Sequence, residues 1–238
     1  MNGTFAGSLT QQVIDFLGLR IVRNELVEGE ITTASSLQEE CGVSRTVVRE
    51  ACQVLQSKGM MQARTKTGTI ILPRSEWNLL DPELIGWYRQ VGAGPELVRD
   101  LEEVREGYEP LAARMAARRR TDADLEAIRY AYAGMVAAVE AEGTLSPDLI
   151  QADLEFHQAT LRATHNVIII RLGLVVRPLL QIRDEMAMRR DTAIDFLEEH
   201  RAVFDAIAKQ QPGVAEEAMR HLLERSAQDT AHLRTESD

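Results

Sequence analysis

The chain has 238 residues, of which 45% are hydrophobic, so it has room for two domains with a core each. Its formal charge of -10 argues against a general nucleic-acid coat protein, and its two cysteines lack the spacing of a metal site or disulfide framework. No apolar run approaches the roughly 20 residues of a membrane span. The N-terminal MNGTFAGSLT lacks the charged and apolar blocks of a signal peptide, so we expect a cytoplasmic protein with no membrane partner.

The charge is unevenly distributed along the chain. Residues 43–75 carry six cationic side chains against Glu50 alone, a balance of +5. Residues 1–42 carry -4, so residues 76–238 carry -11. A small basic segment is therefore attached to an acidic body, which favours nucleic acid as a partner of that segment only. The six cations are Arg45, Arg49, Lys58, Arg64, Lys66 and Arg74.

The first 58 residues contain the pattern of a helix-turn-helix. An apolar stripe predicts a helix over residues 10–24, and Thr33 is placed to cap a second helix ending at Cys41. Gly42 can adopt the left-handed backbone that ends one helix, and Ser44 can cap the next, which stops at Lys58-Gly59. The N-terminal end of that third helix would enter a major groove. Its candidate DNA-binding residues are Ser44, Arg45, Thr46 and Arg49.

A short hairpin follows this third helix, which is the recognition helix of the predicted helix-turn-helix. Residues 60–65 and 69–72 are apolar runs that flank Lys66-Thr67-Gly68, a turn sequence with glycine. Three helices followed by a hairpin make a winged helix, assigned to residues 1–75. Its wing would bring Lys66 and Gly68 close to the DNA backbone or minor groove.

The remainder of the chain is predicted to be helical. Residues 76–93 read as a linker and a short helix, with Asp81 as cap and Pro82 at its first position. Residues 94–233 form an all-helical domain, and 234–238 a tail. The fold class is thus mainly α, a winged helix-turn-helix with a small β-hairpin wing and a C-terminal helical bundle. The helix-start signals are Gly94-Pro95, Thr121 to Asp124, Ser146-Pro147, Asn166, Asp191 and Gln211-Pro212.

A carboxylate and three imidazoles stand out in this helical domain. Asp153 and His157 are four residues apart and share one helix face, while His200 and His221 each lie in an otherwise apolar helical pattern. The Asp153–His157 pair by itself is most often a solvated or hydrogen-bonded surface couple. If the four converged in a bundle core, they would form a mixed oxygen and nitrogen site for zinc, manganese, nickel or iron.

The N-terminal residues resemble the GntR family of bacterial transcription regulators. The resemblance rests on Leu37, Gly42 to Thr46, Val48 to Ala51, Leu55, Gly59 and Gly68. It implies that Arg45, Thr46, Arg49 and Gly68 act on operator DNA. One departure is Ser35, which stands where the family commonly has an arginine able to contact phosphate.

The helical domain resembles the FCD ligand-binding domain of the FadR subfamily of these regulators. The order Asp-x3-His, Glu-His and a third histidine carries this likeness, which implies Asp153, His157, His200 and His221 as ligands of a divalent metal, with zinc as first choice. The likeness also implies Arg105 as an effector-binding residue. A salt bridge from Arg105 to Glu102 or Glu109 is the alternative. Asn166 is a further effector candidate, with a helix cap as its alternative.

These features predict a DNA-binding transcription regulator and not an enzyme. We expect a homodimer that binds double-stranded operator DNA and represses a catabolic operon for a sugar acid or other organic acid. A small carboxylate effector bound at the metal would release it. The alternatives are a metal-dependent hydrolase or lyase using the Asp/His3 site, and a metal-free regulator whose histidines bind the effector directly.

Overall fold

The computed structural model describes residues 8–65, 67–92, 95–142, 146–188 and 197–231. The chain divides into two compact units, 1–93 and 94–238. The mainly α fold with a small N-terminal sheet is confirmed, and each unit is built around its own buried residues.

The first unit begins with three helices whose ends follow from local capping. They are α1 (Leu9–Val22), α2 (Ala34–Cys41) and α3 (Arg45–Ser57). Thr33 and Ser36 form a capping box at the start of α2, and Gly42 ends α2 with a φ of 67°. The Ser44 side chain accepts the Val47 amide at the start of α3. The predicted corner between α2 and α3 is thereby confirmed.

The wing is an antiparallel sheet with one strand more than the predicted hairpin. Its strands β1 (Ile31–Thr32), β2 (Met61–Arg64) and β3 (Gly68–Ile71) are ordered β1-β3-β2. Thr32 pairs with Thr69, and Arg64 pairs with Gly68. The β1 strand has only two residues, which is too short for an alternating pattern to reveal it.

A fourth helix completes the first unit. After a 3-10 turn at Arg74–Glu76, α4 (Pro82–Val91) starts from the Asp81 cap and packs against α1. The Trp87 ring is buried there, and its indole NH donates to Asp15 over 3.0 Å. A Cβ on Gly18 of α1 would lie 2.6 Å from this ring, so the close packing requires a glycine. The segment 76–93, predicted as a linker and a short helix, thus contains a helix that packs within the first unit.

A salt bridge joins the C-terminal end of α3 to the segment 76–93. The Lys58 ammonium lies 2.8 and 2.9 Å from the Asp81 carboxylate oxygens and 2.6 Å from Glu83 Oε2. The Lys58 backbone carbonyl also accepts the Asn78 amide over 2.8 Å. These bonds hold the C-terminus of α3 and the N-terminus of α4 together.

In the second unit, the described residues form α5 (Pro95–Arg119), α6 (Asp122–Glu142), α7 (Pro147–Arg162), α8 (Val167–Met188), α9 (Leu197–Ala208) and α10 (Pro212–Ala231). Five of the six predicted helix starts are confirmed. The sixth, Asp191, lies outside the described residues, as do Lys66 and the tail 234–238. Pro110 and Pro178 fall inside α5 and α8. Among the described helices, none combines the length and apolar character needed to cross a membrane.

Candidate functional site

The N-terminal end of α3 presents a polar, exposed face. Ser44, Arg45, Thr46 and Arg49 are all exposed, whereas Val48 of the same helix is fully buried. Arg45 and Arg49 are four residues apart on one side of α3, so both guanidiniums can reach the same stretch of a ligand. This arrangement suits insertion of the helix end into a major groove.

The basic segment presents fewer charges at the surface than its sequence contains. Lys58 is only 7% exposed and bonded to two carboxylates, and the Arg74 guanidinium stacks 5.8 Å from the Tyr88 ring centre. Among the described residues of the segment, Arg45, Arg49 and Arg64 are the exposed cations. The +5 balance therefore overstates the charge available to DNA.

The backbone at position 68 requires a glycine, whether or not the residue contacts DNA. Its φ is 124°, and a Cβ there would lie 2.3 Å from the Thr32 carbonyl oxygen. Only glycine allows β3 to start this close to β1. Nothing further is described at Lys66, the other predicted wing contact, because it lies outside the described residues.

Three of the four predicted metal ligands converge in the second unit. Asp153 and His157 lie on α7 and His200 on α9, and their ligand atoms are all within 4.8 Å of one another. Asp153 Oδ1 is 2.8 Å from His200 Nε2 and 3.7 Å from His157 Nε2. All three residues are buried. The Phe156 ring packs edge-on against both imidazoles, with centroid distances of 5.9 and 5.0 Å.

His221, the fourth predicted ligand, is exposed on α10 and is not part of this group. Among the residues of α10 whose burial is described, the buried ones are Ala215, Met219, Leu222 and Leu223. Each step along a helix rotates the side chain by about 100°, so His221 points about 100° away from its buried neighbour Leu222. The apolar neighbours of His221 in the sequence predicted an inward-facing side chain. Its angular position on α10 instead directs the side chain to the surface.

Arg105 forms a salt bridge with Glu109, as the spacing of four residues between them allows. It is 1% exposed on α5, and its Nε lies 2.6 Å from Glu109 Oε1. Arg105 Nη2 lies 3.3 Å from His157 Nε2, so the pair adjoins the Asp-His group. Asn166 serves as the cap of α8, its side-chain oxygen accepting the Ile168 amide over 3.0 Å.

Glu109 is a site residue that the sequence reasoning did not select. It is 1% exposed, and its Oε2 lies 2.7 Å from His157 Nδ1. Burial alone raises the pKa of Glu109, but Arg105 and then His157 outweigh burial and hold that pKa well below its usual value. The sequence signal that could have identified Glu109 was its position four residues after Arg105, which places both side chains on one helix face.

The charges of the buried cluster are compatible with a bound cation when both imidazoles are neutral. With both imidazoles neutral, Arg105 supplies one positive charge and Glu109 and Asp153 supply two negative charges, a formal balance of -1. A buried net charge is costly unless an opposite charge compensates it. One carboxylate and two imidazoles also provide the oxygen and nitrogen donors that zinc, iron, manganese or nickel accept.

Comparison with known proteins matches both units. Residues 9–71 match the family described as bacterial regulatory proteins, gntR family, and residues 100–225 match the FCD domain. The galactonate operon transcriptional repressor of Escherichia coli K12 is 32% identical over 212 residues, covering 88% of this chain and 91% of that protein. The regulator LutR of Bacillus subtilis is 32% identical, covering 84% and 90%.

Two further matches extend the comparison. The probable D-xylose utilization operon transcriptional repressor of Paenarthrobacter nicotinovorans is 27% identical and covers 94% of this chain and 90% of its own. A solved structure of Lar, described as controlling the Listeria monocytogenes agr system, superposes with a TM-score of 0.63 at 17% identity, covering 98% of this chain and 100% of that one. At this identity the superposition supports the fold alone.

Proposed function

Because this chain belongs to the gntR family of bacterial regulatory proteins and carries an FCD domain, we propose that it represses a catabolic operon and leaves its operator when a sugar acid binds. It is a DNA-binding transcription regulator and not an enzyme. The hydrolase and lyase alternative is therefore set aside. Repression and a sugar-acid effector are proposed because a relative covering most of the chain is a galactonate operon repressor.

The observation that carries the DNA-binding role is the exposed face of α3. Ser44, Arg45, Thr46 and Arg49 are exposed at the helix end that a major groove would receive, and the wing sheet adjoins this unit's helices. Arginines at such positions donate to guanine edges or phosphates. Lys66 and Gly68 remain proposed wing contacts with the DNA backbone.

A gel-shift experiment on the promoter region upstream of the protein's own gene tests this role. Arg49→Ala is expected to weaken specific binding by about 1–3 kcal/mol, or about 5- to 150-fold. Arg118→Ala is the matched control, because it removes the same charge from an exposed position of α5 in the second unit. Equal binding by Arg49→Ala and the wild type would contradict the assignment of α3 as the reading helix.

We propose that Asp153, His157 and His200 hold a divalent cation, with zinc as first choice. The cluster fits such an ion in donor type, in spacing and in its negative charge balance. The ion would supply positive charge and open coordination positions for a carboxylate. Arg105 and Asn166 stay proposed effector contacts, although the observed bonds of both side chains are internal to the domain.

The effector proposal predicts coupling between the two units. Coupling of about 1–3 kcal/mol would change operator affinity by about 5- to 150-fold. The gel shift repeated with a panel of aldonates and uronates would identify the effector and the sign of its action together. Full retention of the shift with every acid, at concentrations that saturate binding to the protein, would refute sugar-acid control.

A homodimer is proposed as the DNA-binding species. On α8, Val167 and Ile168 are 66% and 73% exposed, and Leu174 and Val175 continue the same helix face. Large apolar side chains exposed along one face mark an interaction surface. Ile168→Glu is expected to yield monomers in light scattering, and Val214→Glu on α10, at an exposed apolar position, is the control. A dimer that persists in Ile168→Glu would exclude this face.

A further inference from the structure

Glu109 connects the guanidinium of Arg105 to the imidazole of His157, and both of its oxygens are engaged. Oε1 receives Arg105 Nε over 2.6 Å. Oε2 lies 2.7 Å from His157 Nδ1 and 3.4 Å from Arg105 Nη2. All three side chains are at least 95% buried. The carboxylate is therefore held on one side by a fixed cation and faces a single imidazole nitrogen on the other.

The two ring nitrogens of His157 have different surroundings. Nδ1 faces the Glu109 carboxylate, whereas Nε2 lies 3.7 Å from Asp153 Oδ1, on the side where His200 also approaches. A neutral imidazole carries its proton on one nitrogen and offers the lone pair of the other. The Glu109 carboxylate beside Nδ1 favours a proton on that nitrogen, and Arg105 Nη2, which can only donate, approaches Nε2 as the acceptor.

We propose that Glu109, anchored by Arg105, is the positioning residue of the Asp-His group, holding His157 in the tautomer whose Nε2 lone pair faces Asp153 and His200. The consequence for cation affinity depends on the cation site proposed above. An outer carboxylate of this kind orients a ligating imidazole and increases its basicity.

This role also accounts for Arg105. Its Nε and Nη2 are both within hydrogen-bonding distance of Glu109, so the guanidinium supports the carboxylate. Arg105 Nη2 also approaches His157 Nε2 at 3.3 Å, the atom that a cation would require. A cation bound at Nε2 must therefore displace this contact, which makes Arg105 a competitor for the ligand atom as well as the anchor of Glu109.

The variant for testing this proposal must preserve the fold. Removing Glu109 alone would leave Arg105 buried without a counter-charge, which is strongly destabilising. The double variant Arg105→Met with Glu109→Leu removes both charges and fills the space with apolar side chains of similar volume, an exchange that is often neutral for stability. Circular dichroism checks that the double variant is folded.

The control variant is Asp124→Asn. It alters a separate His–carboxylate pair of this unit, Asp124 Oδ2 and His165 Nε2 at 2.8 Å, whose histidine is half exposed. The two variants therefore each alter a carboxylate beside an imidazole, and only the first does so at the Asp-His group.

Two measurements on the full-length protein decide the question. The first is the nitrogen-15 spectrum of labelled histidines in chelator-treated protein, with the His157 signals identified by their loss in His157→Gln. The expected wild-type pattern is a proton on Nδ1, which the double variant loses and Asp124→Asn retains. The second is cobalt(II) titration of the wild type, which tests the cation site, with His157→Gln expected to bind more weakly.

The outcomes separate this proposal from the cation proposal. A wild-type His157 protonated on Nε2 overturns the positioning role, as does a double variant whose His157 keeps its proton on Nδ1. Absence of cobalt binding in the wild type overturns the cation site, and the tautomer spectrum still decides the role of Glu109.

Discussion

Replacing Lys58 by methionine tests the bond between the recognition helix and α4. The Lys58 side chain is 8% exposed and contacts Asp81, which is 18% exposed, and Glu83, which is 41% exposed. Methionine keeps most of the apolar stem and removes the ammonium. The substitution therefore leaves two carboxylates without their shared cation.

The expected loss of stability follows from these exposures. Breaking a fully buried ion pair costs about 3–5 kcal/mol. Asp81 and Glu83 are partly open to water, which screens them, so we expect about 1–3 kcal/mol, comparable to hydrogen bonds with charged groups. For a unit of this size, each kcal/mol lowers the thermal midpoint by about 4–8 °C.

Urea unfolding of the full-length protein, followed by tryptophan fluorescence, measures this loss. The chain has two tryptophans, Trp77 and Trp87, and both belong to the first unit, so the signal reports on that unit. Arg23→Met is the matched control, because its pair with Glu25 is 3.9 Å long and half exposed. We expect the control to change stability by less than about 0.5 kcal/mol.

A double-mutant cycle isolates the pairwise energy. Asp81→Asn is the partner variant, since asparagine can still cap α4. A coupling energy below about 0.5 kcal/mol between Lys58→Met and Asp81→Asn would refute the argument that this bond stabilises the unit.

The same bond predicts a pH window for stability. Burial alone raises the pKa of Asp81, but Lys58 and the cap amides outweigh burial and lower it. The contribution is therefore present above the unfolded carboxyl value of about 4 and is lost as pH falls through the lowered pKa. Burial lowers the pKa of Lys58, and the two carboxylates raise it above normal. On the alkaline side the contribution is thus lost only as pH rises through that raised pKa, above about 10.4.

Three further substitutions or treatments test other parts of the structure. Gly18→Ala is expected to destabilise the first unit, because overpacking against Trp87 costs about 1–3 kcal/mol and exceeds the helix-propensity gain of up to about 1 kcal/mol; increased stability in urea would contradict this packing. His200→Ala should abolish stoichiometric zinc in metal analysis while His221→Ala retains it, and equal loss in both would restore His221 as a ligand. Cys52 should resist iodoacetamide at pH 8, because burial raises its pKa to about 11; rapid alkylation of the folded protein, seen by mass spectrometry, would argue against that environment.

Much of the fold was predictable from local signals in the sequence. Gly42 and Ser44 at the α2–α3 corner, Thr33 before α2 and Ser146 before α7 act through hydrogen bonds within about four residues, so their neighbours along the chain are sufficient to interpret them. The two-residue strand β1 lay beyond this reach, because its partner Ile70 is 39 positions away.

The sequence by itself determined the placement of Arg45 and Arg49 on one side of α3 and of Asp153 and His157 on one side of α7, since both depend only on helical periodicity. Only the tertiary structure decided that His200 joins Asp153 and His157, that Glu109 lies beside His157 and that Lys58 is buried. Those outcomes depend on which helices pack together and on the phase of each helix. A phase difference of one residue, about 100°, separates the exposed His221 from the buried Leu222.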